Sequence, residues 1–128
     1  MVKNFILCYG SLIMQETKVG KELAKGGALS IIALVDALVE EAHELEASDI
    51  HIDPREKGLI VRMRIDGVLQ DTHSLPKEIQ SEVISRIKVL SDLRTDEHQA
   101  PQDGRFRLAL EGVGAIDVRV SITPTYFG

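Results

Sequence analysis

The sequence predicts an α+β fold: two helices packed on one face of a mostly antiparallel sheet of about five strands. Three observations predict it. Apolar residues recur at helical spacing in two separate stretches, and five shorter stretches alternate apolar with polar at a period of two. The connections between neighbouring strands are short and carry glycine, as hairpins require. Helices with one apolar stripe each must then cover the apolar face of the sheet. The order along the chain is α-β-β-β-α-β-β.

The first helix is expected to start after Ser30, a good N-cap residue. Ile31, Leu34, Val35, Leu38, Ala42 and Leu45 form its apolar stripe, and Asp36, Glu40, Glu41 and Glu44 give it an acidic outer side. The run "SDIHIDP" places Ile50 and Ile52 on one strand face and His51 and Asp53 on the other, with Pro54 ending it. "REKG" turns the chain into "LIVRMRIDG", where Val61, Met63 and Ile65 face the helices and Arg62 and Arg64 face away. Asp66-Gly67 is a hairpin turn, since both central positions need positive φ. "VLQDTH" returns as the third strand.

Pro76 fits the first turn of the second helix, with Ile79, Val83, Ile84, Ile87, Leu90 and Leu93 as its stripe. A polar connection, "RTDEHQAPQDG", leads to the last two strands. Phe106, Leu108 and Leu110 point inward on one, and Ile116, Val118, Val120 and Ile122 on the other, joined by "EGVG".

A chain of 128 residues fits one domain with a tail. A soft boundary at Lys21–Ser30 separates residues 1–28, a segment of unclear role, from residues 29–128. The single cysteine, Cys8, forms no internal disulfide, and a reduced cytosolic setting is the default. The net charge of −5 argues against general nucleic-acid or anionic-membrane binding, although local patches can differ. The apolar run Asn4–Met14 lacks a small-x-small cleavage site after it, and it is shorter than the ~20 residues that span a bilayer. A short strand, a docking helix or a remnant of a longer chain is the preferred reading.

The sheet face turned away from the helices would collect His51, Asp53, Arg62, Arg64, Arg105, Arg107, Asp117, Arg119 and Ser121. That face is locally positive in an acidic protein. One reading is a solvated surface with cross-strand Arg–Asp pairs, each worth about 0–1 kcal/mol. The other is a surface for a planar, multiply charged anion such as phosphate or carboxylate, which guanidinium meets with paired hydrogen bonds. Other chemistry is less well supported. His51 and Asp53 share a face but have no third metal ligand at matching spacing. Asp96, Glu97, His98 and Asp103 sit in a polar loop, where such groups are usually solvated or capping. Cys8 with His43 lacks an orienting group, and nucleic-acid binding would want aromatic stacking residues that these strands do not expose.

The blocks "ASDIHIDP", "VRMRIDGVL", "VISRIKVLSDL", "APQDGRFRL" and "DVRVSITPTYFG" follow one another in the order and spacing of the secretion ATPase family. These are the motors of type II secretion and type IV pilus assembly. The resemblance covers Ile31 to Gly128 and is to the PAS-like module immediately N-terminal to the nucleotide-binding domain, so residues 29–128 are read as that module. Two departures stand out. No G-x-x-x-x-G-K-[ST] phosphate loop is present, so the resemblance implies a fragment of a longer motor that is not itself an enzyme. Glu46 stands where glycine is usual before "ASDIH".

The resemblance implies a regulatory and coupling role without activity of its own, in a protein that uses ATP and magnesium elsewhere in its length. It implies that Arg105 and Arg119, with Arg107 as a weaker third, contact nucleotide phosphates in the full-length protein. Arg64 and Asp66 match a signature too and are read first as hairpin architecture. The implied partners are the C-terminal ATPase domain, neighbouring subunits of a hexamer and cytoplasmic components of an inner-membrane machine. The implied location is bacterial cytoplasm, peripheral to that membrane, with the segment after Thr123 as a hinge. A free-standing PAS-type sensor or ligand-binding domain is the alternative.

Overall fold

The computed structural model describes residues 18–125. In chain order its elements are helix α1 (Lys18–Leu23), helix α2 (Ile31–Glu44), strands β1 (Asp49–Arg55), β2 (Gly58–Ile65) and β3 (Val68–Pro76), helix α3 (Gln80–Leu90), and strands β4 (Gln102–Leu110) and β5 (Gly114–Ile122). Short 3₁₀ turns occupy Gly26–Ala28 and Lys77–Ile79. The Asn4–Met14 run and Cys8 lie outside the described residues.

Helix α2 begins where the sequence places it. The Ser30 hydroxyl accepts a hydrogen bond from the Ala33 amide at 3.2 Å, satisfying one of the free N–H groups of the first turn. It ends in a Schellman turn: the Ala47 amide bonds the Ala42 carbonyl at 2.8 Å, and the Glu46 amide bonds His43 at 3.1 Å. That turn puts Glu46 at φ 55°, in the left-handed region that favours glycine. The departure noted at this position is therefore a strained one.

Strands β1, β2 and β3 form one antiparallel sheet with β2 in the middle. Asp66 (φ 52°) and Gly67 (φ 79°) make the tight turn between β2 and β3, as their sequence predicts. Pro54 does not end β1, which runs on to Arg55. Because β1 is an edge strand, its missing amide breaks no ladder bond in the sheet interior. Pro76 likewise closes β3 rather than opening α3, and the 3₁₀ turn separates the two.

A bulge interrupts β3. Val61 pairs with His73 but Arg62 pairs with Asp71, leaving Thr72 as the extra residue, with its hydroxyl donating to the Val61 carbonyl at 3.1 Å. The insertion shifts the alternation by one, so His73 and Leu75 turn inward opposite Val61 and Leu59.

The core lies between this sheet and the helices. Leu34, Leu38, Leu59, Met63, Leu75, Val61 and Val83 are fully enclosed, each large apolar side chain contributing roughly 1.5–3 kcal/mol by leaving water. Val19 of α1 joins the same cluster. Behind it, the buried Glu22 carboxylate accepts from the Lys25 ammonium at 2.8 Å and the Ser30 amide at 2.6 Å, so α1 is fastened to the start of α2. Those two donors hold the Glu22 carboxyl below its ordinary range, with Lys25 the larger cause.

Strands β4 and β5 depart from the single expected sheet. They pair only with each other, as a separate two-stranded antiparallel hairpin, and no residue of theirs belongs to the core cluster. Over the described residues the fold is α+β with five antiparallel strands, divided three and two. Alternation tells which way a side chain points but not which hairpins lie side by side, so the division was not visible in the pattern.

Candidate functional site

The arginine set of the sequence divides with the sheets. On the outer face of β1–β3, each arginine is engaged. Arg62 donates through Nε to Asp53 Oδ2 at 2.9 Å, and its Nη2 meets the same oxygen. Arg64 lies 3.2 Å from an Asp49 carboxylate oxygen and also donates to the Gly67 carbonyl, bracing the tight turn. This face matches the solvated, cross-paired surface that was one of the two readings. His51 sits half-buried among these groups, opposite Arg62. Among the described residues no three His, Cys, Asp or Glu side chains converge as a metal site.

The β4–β5 hairpin is different. Alternation along both strands sends Phe106, Leu108, Ile116, Val118 and Val120 to one face, where they are half-buried, and the charged residues to the other, where they are exposed. The register pairs Arg107 with Asp117, Arg105 with Arg119 and Asp103 with Ser121, and register partners share a face. Arg107 Nε donates to Asp117 Oδ1 at 2.8 Å. This bond, more than any other influence, holds the Asp117 carboxyl below the usual carboxylate range, and the charge of Arg105 adds to it.

Arg105 and Arg119 face each other directly across the two strands, and among the described residues neither has a carboxylate within ion-pair distance. Like charges in that relation destabilise a hairpin rather than support it. They line a shallow, open depression with Asp103, Gly104, Val120 and Ser121. A second depression, between α1 and α2, is lined by Lys18, Lys21, Lys25 and the carboxylates of Glu22, Asp36 and Glu40. Lys18 there is bound to Glu40 at 2.7 Å and Lys25 to Glu22, so its charges largely cancel. The Arg105–Arg119 depression thus joins, among the described residues, two guanidinium groups without an ion-pair partner on one rim, with the Asp103 carboxylate beside them, and such groups can donate paired hydrogen bonds to an anion.

Two features escaped the sequence reading. His73 is buried with its Nε2 2.5 Å from Glu41 Oε2, tying β3 to α2. Nothing short of the bulge at Thr72 could have placed it inward. Lys88 is also buried, although its spacing was a signal: it falls four residues after Ile84, on the apolar stripe. His43, by contrast, is exposed on α2. No described helix is long and apolar enough to cross a membrane.

Comparison with known proteins places residues 24–128 within a family model described as type II/IV secretion system protein. Among curated relatives, the type II secretion system protein E of Xanthomonas campestris pv. campestris is 47% identical over 98 residues, covering 77% of this chain and 17% of that protein. The type IV pilus assembly ATPase PilB of Myxococcus xanthus is 37% identical over 115 residues, 89% of this chain and 20% of that protein. The type II secretion system ATPase E of Vibrio cholerae is 44% identical over 98 residues, 77% and 19% respectively. The chain spans about a fifth of the length of the curated relatives it matches.

Proposed function

The chain belongs to the type II/IV secretion system protein family, and from that premise we propose that it is the N-terminal regulatory and coupling module of a secretion or type IV pilus assembly ATPase, lending arginines to nucleotide held by a motor core. The observation that carries this reading is the Arg105–Arg119 pair: two exposed residues, directly opposed in register, with no carboxylate within ion-pair distance of either among the described residues. Such a pair is repulsive in isolation and becomes favourable when a polyanion lies between or above it.

ATP would supply the phosphoryl group that is transferred. With no phosphate loop of its own, this chain neither cradles the phosphates nor holds magnesium, and those ligands would come from the motor core. The part of Arg105 and Arg119 is electrostatic. Their hydrogen bonds oppose charge developing on the equatorial oxygens, which for a supplied arginine is worth ~10³–10⁵ in rate. Arg107 is the lesser contributor, because it must give up Asp117 first.

The partners under this reading are the motor core, neighbouring subunits of a hexamer and cytoplasmic components of an inner-membrane machine. The module itself would lie in the cytoplasm, peripheral to that membrane. The test is a chimera in which this domain replaces the matching segment of the Vibrio cholerae relative. Arg119→Ala is expected to lower ATP turnover by ~10³ or more, with the melting temperature of the module nearly unchanged. Unchanged turnover, or equal damage to turnover and folding, overturns the assignment.

A further inference from the structure

The hairpin that carries Arg105 and Arg119 gives no residue to the main core cluster and buries only Leu110 fully, so directed contacts have a large share in fixing its pose on the rest of the domain. The candidate is the connection between α3 and β4. We propose that Lys88 is a positioning residue for the Arg105–Arg119 pair, acting through that connection. The inference rests on the phosphate reading above and deepens it.

Helix α3 ends, like α2, in a Schellman turn. Asp92 stands at φ 56°, its amide on the Val89 carbonyl at 3.2 Å, and the Leu93 amide bonds the Lys88 carbonyl at 2.8 Å. Lys88 is thus held at both ends. Its carbonyl anchors the turn, and its side chain runs through the interior, 4% exposed, to donate from Nζ to the Glu97 carbonyl at 2.8 Å. Among the described residues no carboxylate lies within ion-pair distance of this ammonium group. A leucine or methionine would fill the same space without burying an amine, so what lysine adds here is its single directed bond.

That bond reaches a loop already organised to receive it. The Glu97 carboxylate accepts from the Gln99 amide at 2.8 Å and the Ala100 amide at 2.9 Å, closing a small turn around the carbonyl that Lys88 holds. The Gln102 side chain then bonds Arg94 reciprocally, accepting from its amide at 2.9 Å and donating to its carbonyl at 3.0 Å. Two residues on, Gly104 is pressed so closely to the helix end that a β-carbon would lie 2.9 Å from the Ser91 carbonyl oxygen. Arg105 follows immediately. Three separate contacts thus tie the α3–β4 connection to the helix end, Lys88 to Glu97, Arg94 to Gln102 and Ser91 against Gly104, and of these the Lys88 bond is the one that starts from a buried side chain.

The test has two arms. In the first, residual dipolar couplings are measured on the 128-residue chain with Lys88→Met, which keeps the packing volume and removes the donor. The hairpin amides are expected to fit the same alignment as α2 and β2 in the unaltered chain and to depart from it in the variant. Gln102→Ala, which cuts the loop from its half-buried side, gives the same departure and serves if Lys88→Met does not fold. A hairpin that keeps the common alignment in Lys88→Met, or in Gln102→Ala where Lys88→Met does not fold, overturns the proposal.

In the second arm, the Vibrio cholerae chimera carries the same changes. Misplacing a catalytic group by about 1 Å can lower a rate on the order of 10²-fold, so kcat is expected to fall ~10–100-fold. KM for ATP should stay within about twofold, the pattern of an interaction made only in the transition state. A lost alignment with unchanged kcat overturns the link to nucleotide. Unchanged kcat in Arg119→Ala as well places the failure in the phosphate reading itself rather than in Lys88.

Discussion

Glu46→Gly is expected to stabilise this domain, and the size of the gain follows from the C-terminal turn of α2. Glu46 is exposed, and its backbone is held at φ 55° by the two bonds of the Schellman turn, from its own amide to His43 and from Ala47 to Ala42. A non-glycine residue in that conformation costs about 1–2 kcal/mol, because its β-carbon crowds the following carbonyl. Glycine removes the crowding but makes the unfolded chain freer, which offsets about 0.4–1 kcal/mol. The backbone part of the gain is therefore about 0–1.6 kcal/mol, centred on ~0.8.

A second term is electrostatic: a carboxylate beside a helix C-terminus opposes the helix dipole by roughly 0.3–1 kcal/mol. Glu46→Gln isolates it, since it removes the charge and leaves the strain. Urea unfolding followed by circular dichroism reads both variants. Glycine should exceed glutamine by about 0.8 kcal/mol, visible as a later midpoint at unchanged slope. A glycine variant no more stable than the glutamine one would refute the strain argument and leave charge as the whole effect.

Two further outcomes concern the core and the hairpin. Leu38→Ala, in the middle of the enclosed cluster, should cost about 2–5 kcal/mol in the same assay, and a loss under 1 would mean that the helices close over the cavity. The hairpin should show a pH signature. Because Arg107 depresses the Asp117 carboxyl in the folded state, the pair's stabilisation is fully present above the unfolded carboxylate value of ~3.9 and is lost as pH falls through the lower folded value. Arg107→Ala should therefore lower stability by a small, constant amount above about pH 4, with the two profiles converging as pH falls below that value. A parallel shift of the whole profile would contradict the pair's role.

The legible part of the fold was large. Ser30 as cap, the Asp66-Gly67 turn and the stripe on α2 were all readable, because each depends on residues within a turn or two of one another. The misreadings share a different origin. Pro54 reads as a terminator because it lacks an amide, but β1 has one free edge, and an amide position facing that edge has no ladder bond to lose. His73 went unread because one inserted residue, Thr72, reverses the side to which β3 sends its side chains. Lys88 was passed over on an apolar stripe because its acceptor, the Glu97 carbonyl, comes from a loop with no pattern at all.

What the sequence determined on its own is direction. It sent Arg105, Arg107 and Arg119 to the polar side of their strands, since the pleat of a strand is a local property with a fixed period. The structure alone decided which arginines keep their charge uncompensated. Partnership depends on register and on which strands become neighbours, and those follow from packing between distant segments. The pairing of β1 with β2 put Asp53 on the diagonal from Arg62, and register gave Arg107 to Asp117 and set Arg105 against Arg119. It did so on a hairpin whose two strands, among the described residues, pair with no other strand.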